Sequence, residues 1–163
     1  MSLEKAKAHL KRWGRDTDIV EHAASSATVE LAALALGTEP GRIAKTLSFL
    51  NGERTILIVA AGDARVDSSR FKKAFGLKKA KMVPSDEVEQ RIGHAVGGVC
   101  PFGVNEGVDI YLDESLRRFP TVHPACGSSN SSIELTPAEL EEFSCANGWV
   151  DVCRDWNGQP ETS

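Results

Sequence analysis

The chain has 163 residues, inside the range of roughly 100–200 residues usual for a domain, so one compact unit is expected, large enough for a core without metal or disulfide staples. A hydrophobic fraction of 41% and a charged fraction of 26% exclude a disordered chain, and no apolar run of about 18 residues offers a membrane span. With 19 Lys and Arg against 23 Asp and Glu, the net charge of −4 excludes nucleic-acid binding through a general basic surface, so any such contact must be local.

Met1 to Trp13 mixes Lys5, Lys7, Lys11 and Arg12 with apolar residues at helical spacing. It reads as a first helix, with no continuous apolar stretch of a signal peptide, and the expected location is the cytoplasm. Thr28 to Leu36 places apolar residues at 29, 32, 33 and 36, with Leu31 and Leu34 between them, so a largely buried helix ending at Gly37 is expected. Ile43 to Leu50 and Thr55 to Ala61 read as strands joined by a four-residue turn opening with Asn51 and Gly52, a hairpin signal; the second is apolar on both faces and should be central.

Asp67 to Phe75 and Ser85 to Ile92 are short helices closed by Gly76 and Gly93, with a short strand between them at Ala80 to Val83. A glycine-rich loop, GGVCPFG at 97–103, precedes a strand at Val108 to Leu112 and a brief helix at Glu114 to Phe119. Thr121 to Ala125 and Ser131 to Leu135 read as strands, the first an edge or an ending because of Pro124. Thr136, Pro137, Ala138 and Glu139 carry a capping-box spacing with Pro at the first helical position, opening a last helix, and Trp149 to Cys153 can return as a strand. Hairpins mixed with helices point to an α+β fold, one domain over residues 1–156 with a polar tail at 157–163.

Cysteines at 100, 126, 145 and 153 have no Cys-x-x-Cys or zinc-ligand spacing, which predicts free thiols and no metal site. Lys45 shares a strand face with Ile43, Leu47 and Phe49, where an ammonium needs either a partner in a water-filled cleft or a route to solvent. Lys45 and Thr46 resemble the end of a phosphate-binding P-loop, but Ala44 stands where that motif requires glycine. The loop at 97–103 holds three glycines and one proline, which lets backbone amides approach a ligand oxygen or simply makes a tight turn. The loop GSSNSS at 127–132 either lines the same cleft or joins a hairpin. Cys100 with His22, His94 or His123 leaves a thiol nucleophile open. Five lysines between Lys72 and Lys81, in a chain that turns acidic after Asn130, offer either a local patch for RNA phosphates or a solvated helix face.

Together the segments TVELAALALGTEPGRIAKTLSF, VAAGDARVD, GGVCPFG, VDIYLDESL and ACGSSNSSIELTPAEL resemble, in order and over Val20 to Phe143, the YbaK family of aminoacyl-tRNA deacylases, which includes the editing domain inserted in bacterial prolyl-tRNA synthetases. The resemblance implies a mixed, strongly curved, open-barrel-like sheet flanked by helices. It also implies hydrolysis of the ester of a mischarged tRNA, most often proline tRNA carrying alanine, cysteine or 2-aminobutyrate, with no cofactor. By the same resemblance Lys45, Gly97 and Gly98 carry the chemistry, while Thr28, Thr46, Pro101, Phe102, Gly127, Ser128 and Ser132 contact the substrate. Ser132 departs from the aspartate of YbaK-type members, which turns the expectation from a cysteine-specific activity toward alanine or another small residue. The expected partners are aminoacyl-tRNA and, beyond it, prolyl-tRNA synthetase or an elongation factor. The rival readings are a non-catalytic tRNA- or synthetase-binding module of the same fold and a Cys100-dependent thiol hydrolase.

Overall fold

The computed structural model describes residues 2–22 and 28–156; the polar tail expected from residue 157 lies outside them. The helices are α1 (Ser2–Leu10), α2 (Val29–Leu36), α3 (Ser68–Phe75), α4 (Ser85–Ile92) and α5 (Pro137–Ser144). The strands are β1 (Val20–Glu21), β2 (Ile43–Asn51), β3 (Arg54–Ala61), β4 (Arg65–Val66), β5 (Val108–Asp113), β6 (His123–Pro124), β7 (Ser131–Ser132), β8 (Gly148–Val150) and β9 (Cys153–Arg154). Five of them form a curved mixed sheet in the order β6-β2-β3-β5-β8, and β1–β7 and β4–β9 form separate two-stranded sheets. This is the α+β architecture expected from the sequence.

The hairpin β2–β3 is antiparallel with Lys45 opposite Ala60 and Asn51 opposite Arg54. β3 is the middle strand, and Ile56 to Ala61 are at most 1% exposed, as expected of an apolar run without alternation in a strand buried on both faces. On one face Phe49, Phe71, Phe75 and Tyr111 form a chain of ring contacts 4.5–4.9 Å apart, which seats α3 on the sheet. The last helix has its capping box: Thr136 accepts from the Glu139 amide, and the Glu139 carboxylate accepts from the Thr136 amide.

Several expectations change. The helix α2 is not largely buried: Ala33 is its buried residue, while Leu31 is 48% and Leu34 80% exposed. With apolar residues on every side of a two-turn helix, periodicity could not say which side meets the core. Ala80 to Val83 makes one isolated bridge, Phe49 with Met82, and two hydrogen bonds to β2 rather than a strand. The run from Thr121 keeps only β6 as a strand, at the sheet edge, because Pro124 has no N–H to extend a ladder. The return at Trp149 is split between β8 and β9, which belong to different sheets.

Candidate active site

A site-like cavity lies along the outer edge of β2. Val83 donates its N–H to the Ser48 carbonyl (3.1 Å) and Leu50 donates to the Lys81 carbonyl (2.8 Å), so the even-numbered residues of β2 turn their main chain away from β3. β6 covers this edge only at Ile43 and Ala44. The main chain of Thr46, between Ala44 and Ser48, therefore faces a gap. That gap opens into a cavity of about 360 Å³, at the small end of the roughly 300–1,000 Å³ typical of small-molecule sites.

One wall is α2, with Thr28, Val29, Ala32 and Leu36; opposite it stand Met82, Val83 and Val88. Val96, Gly97 and Val99 of the glycine loop form a third side, and His123, Ala125 and the serines at 128, 129, 131 and 132 form a fourth. Among the described residues no carboxylate lines the cavity. Of the residues singled out in the sequence, Thr28, Lys45, Thr46, Gly97, Ser128 and Ser132 meet here. Thr28 also caps α2, its hydroxyl oxygen accepting from the Leu31 amide at 3.1 Å.

Lys45 is half-buried. Its ammonium donates to the Gly62 carbonyl at 3.4 Å and to the Ala64 carbonyl, which leaves a third N–H for a ligand. Burial lowers its pKa below the ordinary lysine value, and Arg65 adds to this, while the potential from the Cys153 side opposes it. The Thr46 hydroxyl oxygen is buried without a hydrogen-bond partner among the described residues. On the serine wall, the Ser128 hydroxyl lies 2.8 Å from Asn130 Oδ1 and 2.6 Å from the Ser131 hydroxyl.

Gly98, Pro101, Phe102 and Gly127 are placed outside the cavity lining. Gly98 donates its amide to the Ala95 carbonyl at 2.9 Å, so that N–H is committed inside the turn. A Cβ on Gly98 would lie 2.4 Å from the Gly127 carbonyl oxygen and 2.7 Å from its carbon. The two loops thus touch backbone to backbone, which only glycine permits. Phe102 is fully buried, with its ring centroid 6.0 Å from that of His9 on α1, and Pro101 beside it is buried too. Both anchor the loop from behind, because an aromatic ring gains more in the core than at a solvated rim.

The structure brings Cys100 Sγ to 3.5 Å from His94 Nε2, but not as a nucleophilic pair. Burial pushes the thiol pKa up to about 12, so the thiol stays protonated near neutral pH. His94 Nε2 is also held 2.6 Å from the Phe102 carbonyl, which accepts a hydrogen bond from its N–H. Cysteines 100, 126, 145 and 153 are all free, and among the described residues no cluster of His, Cys, Asp or Glu has metal-binding geometry. His123 is a site residue that sequence reasoning named only as one of several histidines. It lines the cavity half-buried, and burial holds its pKa below the ordinary value against the pull of Glu134.

The profile of the aminoacyl-tRNA editing domain family matches residues 23–143. The chain is 53% identical over 157 residues to the uncharacterized protein YwhH of Bacillus subtilis (strain 168), covering 96% of this chain and 99% of YwhH. It is 32% identical over 123 residues, 74% of this chain and 73% of the relative, to EbsC of Enterococcus faecalis (strain ATCC 700802 / V583), provisionally named a Cys-tRNA(Pro)/Cys-tRNA(Cys) deacylase. A solved structure described provisionally as a trans-editing enzyme for prolyl tRNA synthetase superposes with a TM-score of 0.84 at 31% identity, over 94% of this chain and 97% of that one. The chain belongs to the aminoacyl-tRNA editing domain family, and its class of chemistry is deacylation of aminoacyl-tRNA.

Proposed function

We propose that the chain acts in trans on proline tRNA charged with a small non-cognate amino acid, alanine, cysteine or 2-aminobutyrate, and hydrolyses its ester. The observation that carries this reading is the meeting of a half-buried lysine with a glycine loop in one cavity that has no carboxylate on its walls. An aminoacyl ester is already activated, so it needs a positioned water and a stabilised oxyanion rather than a covalent nucleophile.

In this mechanism the ester carbonyl faces the glycine loop. Gly98 has spent its amide on Ala95, so the amides available beside it are those of Gly97 and Val99, both on the cavity wall. Lys45 supplies positive charge through its uncommitted N–H. Water attacks the carbonyl carbon, the bond from that carbon to the ribose oxygen breaks, and the proton lost by the water ends on the ribose hydroxyl. The neighbouring ribose hydroxyl orients the water. The amino-acid side chain packs between α2 and the serine wall, where Ser132 keeps the pocket neutral and small. A hydrophobic pocket separates side chains differing by one methylene by only about 1–3 kcal/mol, so alanine and 2-aminobutyrate are both accommodated. Delivery of the charged tRNA by prolyl-tRNA synthetase or an elongation factor fits a chain of net charge −4.

The test is incubation of the purified chain with proline tRNA charged separately with alanine, cysteine, 2-aminobutyrate and proline. Accelerated loss of at least one non-cognate ester, with the prolyl ester spared, is expected. No acceleration for any of them removes the proposal.

A further inference from the structure

A second feature adjoins the cavity and takes no part in the chemistry above. Between Ser68 and Pro84 there are six basic side chains and no acidic one, leaving 13 basic against 23 acidic residues elsewhere. Lys73, Lys78, Lys79 and Lys81 are exposed, and Lys72 is partly so. The ion pairs nearby belong to Arg70 with Asp151 (3.9 Å) and Arg154 with Asp67 (3.8 Å). Among the described residues none of the five lysines has an ion-pair partner.

Local structure accounts for part of this charge. Lys72 and Lys73 stand in the last turn of α3, where cations meet the negative end of the helix dipole. Lys78, Lys79 and Lys81 lie beyond Gly76, where the helix has ended, and serve no such purpose. Their segment is held by the Lys81 carbonyl, which accepts from Leu50, and by the Val83 amide, which donates to Ser48. The next residue, Met82, is 52% exposed and lines the cavity. Across the mouth Val96, also on the lining, is 65% exposed. At 3.8 Å per residue Lys78 is at most about 15 Å from Met82, the rise of roughly four nucleotides along one strand.

From this placement we infer that the segment from Lys72 to Lys81 binds the phosphates of the 3′ acceptor strand of tRNA while its terminal ester occupies the cavity. The inference rests on the deacylase reading for the polarity of the strand, with its charged end inward. The exposed lysines give a local positive track on an acidic body, which draws RNA phosphates to this side and repels them from the others. Met82 and Val96 give the last base an apolar surface at the mouth.

The test compares the wild type, the triple variant Lys78→Ala/Lys79→Ala/Lys81→Ala and the charge-conserving triple variant to Arg. Two measurements are made: deacylation of alanyl-tRNA(Pro) and of the phosphate-free ester 3′-O-alanyladenosine, and binding of uncharged tRNA(Pro), each from 50 to 200 mM salt. Loss of three phosphate contacts reduces the slope of log affinity against log salt by roughly 2, from ~0.7 per contact. The alanine variant is therefore expected to lose at least tenfold in kcat/KM on the tRNA at low salt, through KM, with the phosphate-free ester unaffected and the Arg variant near wild type. Parental kcat/KM and slope in the alanine variant overturn the inference. So does an equal loss on both esters, which places the lysines' effect in the pocket. A wild type that hydrolyses neither ester but binds uncharged tRNA with the lysine-dependent slope supports this surface while removing the deacylase proposal.

Discussion

The backbone contact between Gly98 and Gly127 makes Gly98→Ala a sharp test of how the site is assembled. The added Cβ would sit 2.4 Å from the Gly127 carbonyl oxygen and 3.1 Å from Ser128 Cα, against an ordinary contact of 3.4 Å or more, so the loops must part by about 1 Å. Both sides of the contact are main chain, and no side chain can swing aside. Overpacking of this kind costs about 1–3 kcal/mol, and a chain of this length loses about 2–4 °C in Tm per kcal/mol. The larger effect falls on catalysis. Gly97 and Val99 flank the displaced residue, Ser128 stands on the other loop, and a 1 Å misplacement of positioning groups costs about 10²-fold. Gly97→Ala is the matched control: its φ of +92° strains any other residue, but its Cβ meets nothing within 4 Å. It is expected to cost stability, about 1–3 kcal/mol, without separating the loops. Deacylation of mischarged tRNA under single turnover, read beside thermal melts, distinguishes the two. A Gly98→Ala chain with parental Tm and rate would refute the loop contact and the reasoning built on it.

Lys45→Ala removes the charge beside the ester and is expected to lower kcat by about 10²–10³-fold, the usual effect of deleting one oxyanion donor; an undiminished single-turnover rate excludes the role given to this lysine. Cys100 and Cys126 are buried with thiol pKa values raised by burial, whereas Cys145 is exposed. A thiol reagent followed by mass spectrometry should therefore label Cys145 first and leave deacylation intact, and activity lost in step with Cys100 labelling would restore the thiol mechanism. Burial lowers the pKa of His9, His94 and His123 below 6.5, so between 6.5 and those lower values the unfolded chain holds more protons than the folded one. Stability is then fully present above that window and falls as pH drops through it, so the urea midpoint at pH 5.5 should lie below that at pH 7.5; an equal or higher midpoint contradicts the assigned burial.

Much of the fold was legible because its signals are local. Asn51–Gly52 between two apolar runs, Gly after each short helix, and the Thr136/Glu139 box each specify a turn or cap from a few neighbouring residues, and each stands where expected. What could not be read depends on tertiary choice. The two-residue strands β1 and β4 owe their existence to partners far along the chain, Ser131–Ser132 and Cys153–Arg154, and carry no pattern of their own. In the site, Lys45 stood out by polarity on an apolar face, and Gly97 by composition. The commitment of the Gly98 amide to Ala95 and the turning of Phe102 into the core were invisible, since a glycine loop shows in sequence that backbone can approach something, not which amide remains free. His123 was one histidine among several until β6 laid it beside Ile43 of β2, on the cavity wall.

The cavity follows from how β6 ends. A strand edge left open is costly, since each unpaired main-chain group needs a partner, and proteins normally cover it with a neighbouring strand or loop. β6 covers β2 as far as Ala44 and then cannot continue: Pro124 offers no N–H, its carbonyl already accepts from Ile133 at 3.1 Å, and the chain turns away at Gly127 with φ of +93°. The turn that abandons the edge of β2 is the same one that brings Gly127 against Gly98 and so draws the serine loop to the glycine loop. On the far side Val83 resumes cover at Ser48. The gap is one residue wide in the ladder, its floor is the main chain of Thr46, and the lysine next to Thr46 lines the same cavity with its ammonium held by the Gly62 and Ala64 carbonyls. An open main-chain floor is tolerable only where water or a ligand can reach it. A fold that stops one strand short therefore obtains a polar floor, a nearby cation and a rim of bare backbone, and a pre-activated ester is a substrate for which these suffice.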